Sequence, residues 1–149
     1  MLKNIDPLLN AELLYVLRAM GHGDVIVVSD TNFPSDSTAQ ETVHEELLRV
    51  DAPAARVVKA ILSVMPLDFA VEHPAMCMEV QDKPEEVPEV RTEVQQAIVD
   101  AGEKYKLLPI DRFKFYDMAK ESYAVVTTAE RRFWGCFMLK KGVLPPEEG

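Results

Sequence analysis

Positive charge is scarce in this sequence. Its 149 residues carry 16 lysines and arginines against 25 aspartates and glutamates, a formal net charge of −9. Such a chain presents no basic face to nucleic acid, whose binding rests on neutralised phosphates, and none to an anionic membrane surface. Long apolar runs are missing too: none approaches the roughly 20 residues that span a bilayer. The opening Met1-Leu2-Lys3-Asn4-Ile5-Asp6-Pro7 has no signal-peptide pattern. Cysteine is limited to Cys77 and Cys136, too few for a disulfide framework, which predicts reduced thiols and a cytoplasmic protein. The six glycines include no G-x-G-x-x-G or Walker A run, so no phosphate loop is expected. His22, His44 and His73 fall on separate segments without H-x-H, H-E-x-x-H or C-x-x-C spacing, which argues against a metal site.

Apolar residues make up 48% of the chain, ample for a packed core. At this length a single domain spanning residues 1–149 is expected, with roughly 70% of the unfolded surface buried. No repeat or low-complexity segment divides it. Asn10 is a good N-cap for a helix over 11–20, where Leu13, Leu14, Leu17 and Met20 form one stripe and Gly21 is placed to stop it. Residues 25–29, Val-Ile-Val-Val-Ser, read as a buried strand, and 30–40 as loop. A weak strand at 46–50 precedes a helix entered at Pro53 and patterned by Val57, Val58, Ile61, Leu62 and Met65, with Pro66 ending it.

Residues 67–71 and 75–80 read as strands, 82–88 as a charged loop, and Val90, Val94 and Ile98 mark a further helix closed by Gly102. A short connection or strand at 106–110 leads to a helix over 112–121, capped by Asp111, with Phe113, Tyr116 and Ala119 facing inward. Strands at 124–128 and 136–140 flank a turn at 130–133, and the tail 144–149 reads as loose. Strands alternating with helices predict an α/β fold, with the last two strands forming an antiparallel hairpin at one edge.

His22 is the leading chemical candidate. It stands between two glycines in Met20-Gly21-His22-Gly23-Asp24, where a helix stops and a strand starts. Little side-chain bulk crowds its ring, and the ordinary histidine pKa of about 6.5 suits proton transfer near neutrality. Asp30 closes the same strand, and the two suggest an acid/base pair carried on a rigid element; the plain alternative is a loop histidine and a capping aspartate. Arg112, set at a helix start that its charge disfavours, is either a surface ion-pair partner or a forked donor to hydroxyls or a carboxylate. Trp134-Gly135-Cys136 opens the last strand and offers either packing or a flat ring for the apolar face of a sugar. Cys77 lies inside an apolar strand, where burial makes a thiol inert, whereas Cys136 reads as closer to a surface cleft.

Taken together, Leu13-Leu14, Met20-Gly21-His22-Gly23-Asp24, Ser29-Asp30 with Asn32-Phe33-Pro34, residues 111–116, residues 124–128 and Gly135 through Val143 resemble the ribose pyranase/fucose mutarotase (RbsD/FucU) family, its fucose branch in particular. The resemblance covers nearly the whole chain. It implies a three-layer α/β/α fold with a mixed, mostly parallel sheet, and cofactor-free isomerisation of the anomers of a free monosaccharide, L-fucose or a relative. It also implies a homo-oligomer, commonly a decameric ring with sites near subunit contacts. By the same resemblance His22 matches the catalytic histidine, Asp30 and Arg112 match sugar-binding positions, and Trp134, Gly135 and Cys136 occupy the family's Tyr-Gly-Asn strand. Tryptophan and cysteine there remove the phenolic and amide functions, so either the sugar differs or the protein is chiefly a monosaccharide binder. A metal-assisted isomerase is the third alternative.

Overall fold

The computed structural model describes residues 1–148. The elements run α1 (Ala11–Ala19), β1 (Val25–Ser29), α2 (Ser35–Ala39), β2 (Leu47–Arg49), α3 (Ala54–Leu62), β3 (Ala75–Met78), α4 (Glu89–Asp100), β4 (Leu108–Ile110), α5 (Arg112–Lys120), β5 (Ala124–Thr127) and β6 (Phe137–Lys140). The helices begin where local chemistry says they should. Asn10 Oδ1 accepts from the Leu13 N–H at 2.9 Å, and Asp111 Oδ1 accepts from the Phe113 and Lys114 N–H groups, each at 3.1 Å. These side chains satisfy donors that the first helical turn leaves unpaired. Pro53 and Pro88 precede α3 and α4, where a missing N–H costs nothing.

The six strands form one sheet in the order β2-β5-β1-β6-β3-β4. Neighbours are parallel except β6, which runs antiparallel to both β1 and β3. Alternate residues of the central strands face opposite ways. Ile26, Val28, Val126, Phe137 and Leu139 pack under α1, α3 and α4. Val27, Val125 and Met138 pack with Phe115 and Ala119 of α5 and Ala39 of α2 on the other face. The expected three-layer α/β/α arrangement with a mixed, mostly parallel sheet is therefore present.

Four expectations are corrected. The last two strands are not a hairpin at an edge: β5 and β6 lie on either side of β1 in the middle of the sheet. Two strands joined by nine residues look alike in sequence whether they pair or straddle a third, and the apolar run of β1 takes both as partners. Residues 67–71 form no strand; only Leu67 bridges to Lys141, and Asp68 Oδ1 turns the chain by accepting from the Ala70 N–H at 3.0 Å. The loop 30–40 contains α2, a five-residue helix whose Ser-Asp-Ser-Thr composition hides it. Phe113 faces outward, 59% exposed, while Phe115 takes the core position. Of the expected loose tail, Gly149 lies outside the described residues, and the rest ends in a turn closed by the Glu148 N–H to the Pro145 carbonyl at 2.9 Å. Among the described residues no helix is long and apolar enough to cross a membrane.

Candidate functional site

Because β5 and β6 straddle β1, residues 128–136 cross directly over its C-terminal end. The crossing is pinned at several points. The Thr128 N–H donates to the Ser29 carbonyl at 3.0 Å, the Thr31 N–H donates to the Glu130 carbonyl at 2.8 Å, and the Gly135 N–H donates to Asp30 Oδ2 at 3.1 Å. The other oxygen of Asp30 accepts from the Asn32 and Phe33 N–H groups at 2.9 and 3.0 Å. The Asp30 carboxylate, 4% exposed, thus knits two loops together at the strand end. Gly135 is required by close approach: a Cβ there would lie 2.8 Å from Glu130 Cγ and 3.3 Å from Asp30 Cβ.

A cavity of about 310 Å³ opens beside this crossing, within the lower part of the roughly 300–1,000 Å³ typical of ligand pockets. Its polar rim is Asp30, Asn32 and Arg112; its aromatic wall is Tyr116, Phe133 and Trp134; Phe33, Met78 and Cys136 complete it. Arg112 is held by its neighbours. Its Nε donates to the Tyr116 hydroxyl at 3.0 Å and its Nη1 to Gln81 Oε1 at 2.9 Å, and the guanidinium lies 5.4 Å from the Tyr116 ring centroid. Among the described residues Nη2 has no hydrogen-bond partner, which leaves donor capacity on a side chain that lines the cavity. Cys136 lines the cavity as expected, but it is 1% exposed, and burial followed by the Asp30 charge pushes its thiol well above the usual range. Burial likewise raises Cys77 to about 11, so both thiols stay protonated. The cavity thus has aromatic rings on one side and charged and amide groups on the other.

The structure brings Asp30, Arg112, Trp134, Gly135 and Cys136 together. His22 is elsewhere. It precedes β1 while Asp30 follows it, and a five-residue strand is about 17 Å long. His22 stands at the edge of an open groove whose walls include Leu14, Leu17, Val64 and Val143. The expectation that Asp30 orients the imidazole is therefore corrected for a single chain: the partner is Asp68, whose Oδ1 lies 2.9 Å from His22 Nε2. Asp68 is 3% exposed. Burial pushes its carboxyl up, but the Ala70 N–H and the His22 ring together hold it below the usual range. An ionised Asp68 makes Nε2 the protonated nitrogen and leaves Nδ1 as the acceptor of a neutral ring. The His22 side chain is 48% exposed, so the ring is open to solvent over about half of its surface. The next residue, Gly23, has φ +87° and donates its N–H to the Lys141 carbonyl at 2.9 Å, which ties this turn to the chain after β6. Among the described residues no cluster of three His, Cys, Asp or Glu is arranged to hold a metal ion.

The model of the RbsD / FucU transport protein family matches residues 3–144. The chain belongs to that family. Among its relatives, human fucose mutarotase is 42% identical over 147 residues, covering 96% of this chain and 94% of the human protein. Two solved structures share the fold of this family member. Protein Atu2016 is 54% identical with a TM-score of 0.94, covering 97% of each chain. The fucose mutarotase of Streptococcus pneumoniae, solved in complex with L-fucose, is 34% identical with a TM-score of 0.87, covering 97% of this chain and all of that one.

Reading the sequence missed Asp68 and undervalued Tyr116 in this family member. Asp68 was hidden because its segment reads as a strand. Tyr116 carried a usable signal: it is four residues after Arg112 in a helix, the spacing that lets side chains touch.

Ion pairs elsewhere give the fold a definite acid response. Asp6 is held low by its hydrogen bonds from Arg56, and Glu93 and Glu130 by theirs from Arg132. A carboxylate depressed in the folded state stabilises above its unfolded value, about 4, and that contribution is lost as pH falls through the folded value. The thermal midpoint followed by circular dichroism is expected to stay flat from pH 7 to about pH 5 and to decline below about pH 4. A midpoint that rises on acidification would contradict this assignment.

Proposed function

We propose that the protein interconverts the anomers of L-fucose or a closely related free monosaccharide, in the cytoplasm and without a cofactor. The observation that carries the reading is the presence in one chain of two complementary features: a ring-lined cavity with Asp30 and Arg112 on its rim, and a half-exposed imidazole hydrogen-bonded to a buried carboxylate. The relatives' names and the L-fucose complex of a similar structure support the choice of sugar.

The chemistry needs little beyond positioned proton transfer. His22 Nδ1 takes the proton of the anomeric hydroxyl, the oxygen's electrons form the C1 carbonyl, and the C1–O5 bond breaks as O5 takes a proton from solvent water, the resulting hydroxide being neutralised by the proton His22 releases. Rotation about C1–C2 followed by the reverse sequence closes the ring as the other anomer, and the proton is returned. Arg112 donates to a sugar hydroxyl, Asp30 accepts from another, and Trp134 lies against the C–H face. Since the half-sites stand at opposite ends of β1, His22 of one copy serves the cavity of a neighbouring copy in a homo-oligomer, a closed ring such as a decamer.

Saturation-transfer NMR on L-fucose at anomeric equilibrium tests this. Wild-type protein is expected to accelerate exchange, and His22→Ala to lower it by about 10²- to 10⁴-fold, the span of general acid–base catalysis. Exchange that survives His22→Ala undiminished would remove the histidine from the reaction. The Trp134 and Cys136 departures favour a second reading, a non-catalytic monosaccharide binder. Saturable binding with no exchange across a panel of monosaccharides would select it.

A further inference from the structure

The residues that cross β1 carry Phe133 and Trp134 of the cavity's aromatic wall, and one arginine ties them to the helical layer on the opposite face of the sheet. Arg132 Nε and Nη2 donate to the two carboxylate oxygens of Glu130 at 2.8 and 3.0 Å. Its Nη1 and Nη2 donate to those of Glu93 on α4 at 2.9 and 2.7 Å, and Glu89 adds a third carboxylate 3.7 Å away. Glu130 is 3% exposed and also accepts from the N–H of Ala54, the first residue of α3, at 3.4 Å. One guanidinium that holds two carboxylates by both oxygens is the strong, direction-fixing form of an ion pair.

This cluster is packed against the cavity wall. The Cβ that Gly135 lacks would meet Glu130 Cγ at 2.8 Å and the Arg132 carbonyl at 3.2 Å. Between them, Trp134 is held at φ +65°, a backbone region that tryptophan avoids unless its surroundings impose it. Phe133 beside it is 72% exposed and supplies no anchor. Backbone hydrogen bonds and Asp30 pin the loop to the end of β1, and Arg132 adds its link to α4.

We propose that the Arg132–Glu130–Glu93 cluster positions Trp134 over the cavity and thereby sets the affinity for the sugar, which makes Arg132 a positioning residue. The proposal rests on the reading of that cavity as the sugar site. Two readouts separate the two ideas: KM against kcat for L-fucose exchange, and the fluorescence of Trp134, the only tryptophan in the chain. Arg132→Gln is expected to raise KM roughly tenfold with kcat within about twofold, the pattern of lost uniform binding. It should also red-shift the emission and increase its quenching by acrylamide. Glu93→Gln should act in the same direction more mildly, and Arg132→Lys should recover part of the loss. A merely structural role would lower the melting temperature and leave KM and emission alone.

Wild-type KM and wild-type emission in Arg132→Gln would overturn the proposal. Should that variant fail to fold, Glu93→Gln decides, since its carboxylate is 40% exposed; unchanged KM and emission there also overturn it. If wild-type protein neither exchanges nor binds L-fucose, the sugar reading fails, and the Trp134 emission of the variants still decides whether the cluster holds the ring.

Discussion

Co-expression of His22→Ala subunits with subunits carrying both Arg112→Ala and Trp134→Ala, each inactive alone, is expected to restore about a quarter of wild-type anomer exchange if, as proposed, each site in a symmetric assembly draws independently on two copies. The reason is geometric. The His22–Asp68 pair stands before β1 and the Asp30 rim stands after it, separated by a strand about 17 Å long. No single monosaccharide touches both within one chain. A site assembled between copies needs an intact imidazole from one and an intact cavity from the other, and random mixing supplies both half the time each. Saturation-transfer NMR on the purified mixed assembly reads the result. Exchange no higher than the sum of the two single preparations would place the reaction within one chain, and would leave His22 without a sugar to act on.

Replacing Trp134 by Tyr together with Cys136 by Asn is expected to raise kcat/KM for L-fucose by roughly three- to tenfold, the yield of about one recovered hydrogen bond at 0.5–1.5 kcal/mol. Cys136 lines the cavity, but burial and the adjacent Asp30 keep its thiol protonated, and a thiol is a weak donor. An amide at that place supplies both a donor and an acceptor to a sugar hydroxyl, and a phenol at 134 restores an acceptor that indole lacks. The substitution also tests specificity. A site whose buried polar groups go unpaired rejects its ligand far more strongly than one that loses a methylene. No gain, or a loss, would mean that the cavity is shaped for a sugar with an apolar edge facing Cys136.

Much of the architecture could be read from local chemistry. The Asn10 and Asp111 caps, the prolines before α3 and α4, and the apolar spacing of Val57, Val58 and Ile61 each act over one or two turns, and each element stands where that chemistry put it. β1 occupies the predicted residues because four successive β-branched apolar residues ahead of Ser29 suit a strand buried on both faces. Where local signals were silent, the reading failed. α2 is too short to show a helical period, and Phe113 and Phe115 alternate in a helix where only register against the sheet decides which ring is buried.

The sequence by itself determined the family, the α/β class and, of the residues that line the cavity, Asp30, Arg112, Trp134 and Cys136, because those depend on side-chain types held at fixed spacings. Tertiary structure alone decided that β5 and β6 straddle β1, since pairing between distant strands is settled by which buried faces fit together. That single choice carries Trp134, Gly135 and Cys136 over the C-terminal end of β1 to Asp30. Chain order along β1 puts His22 at its other end, and the fold there supplies Asp68 as the partner of the imidazole.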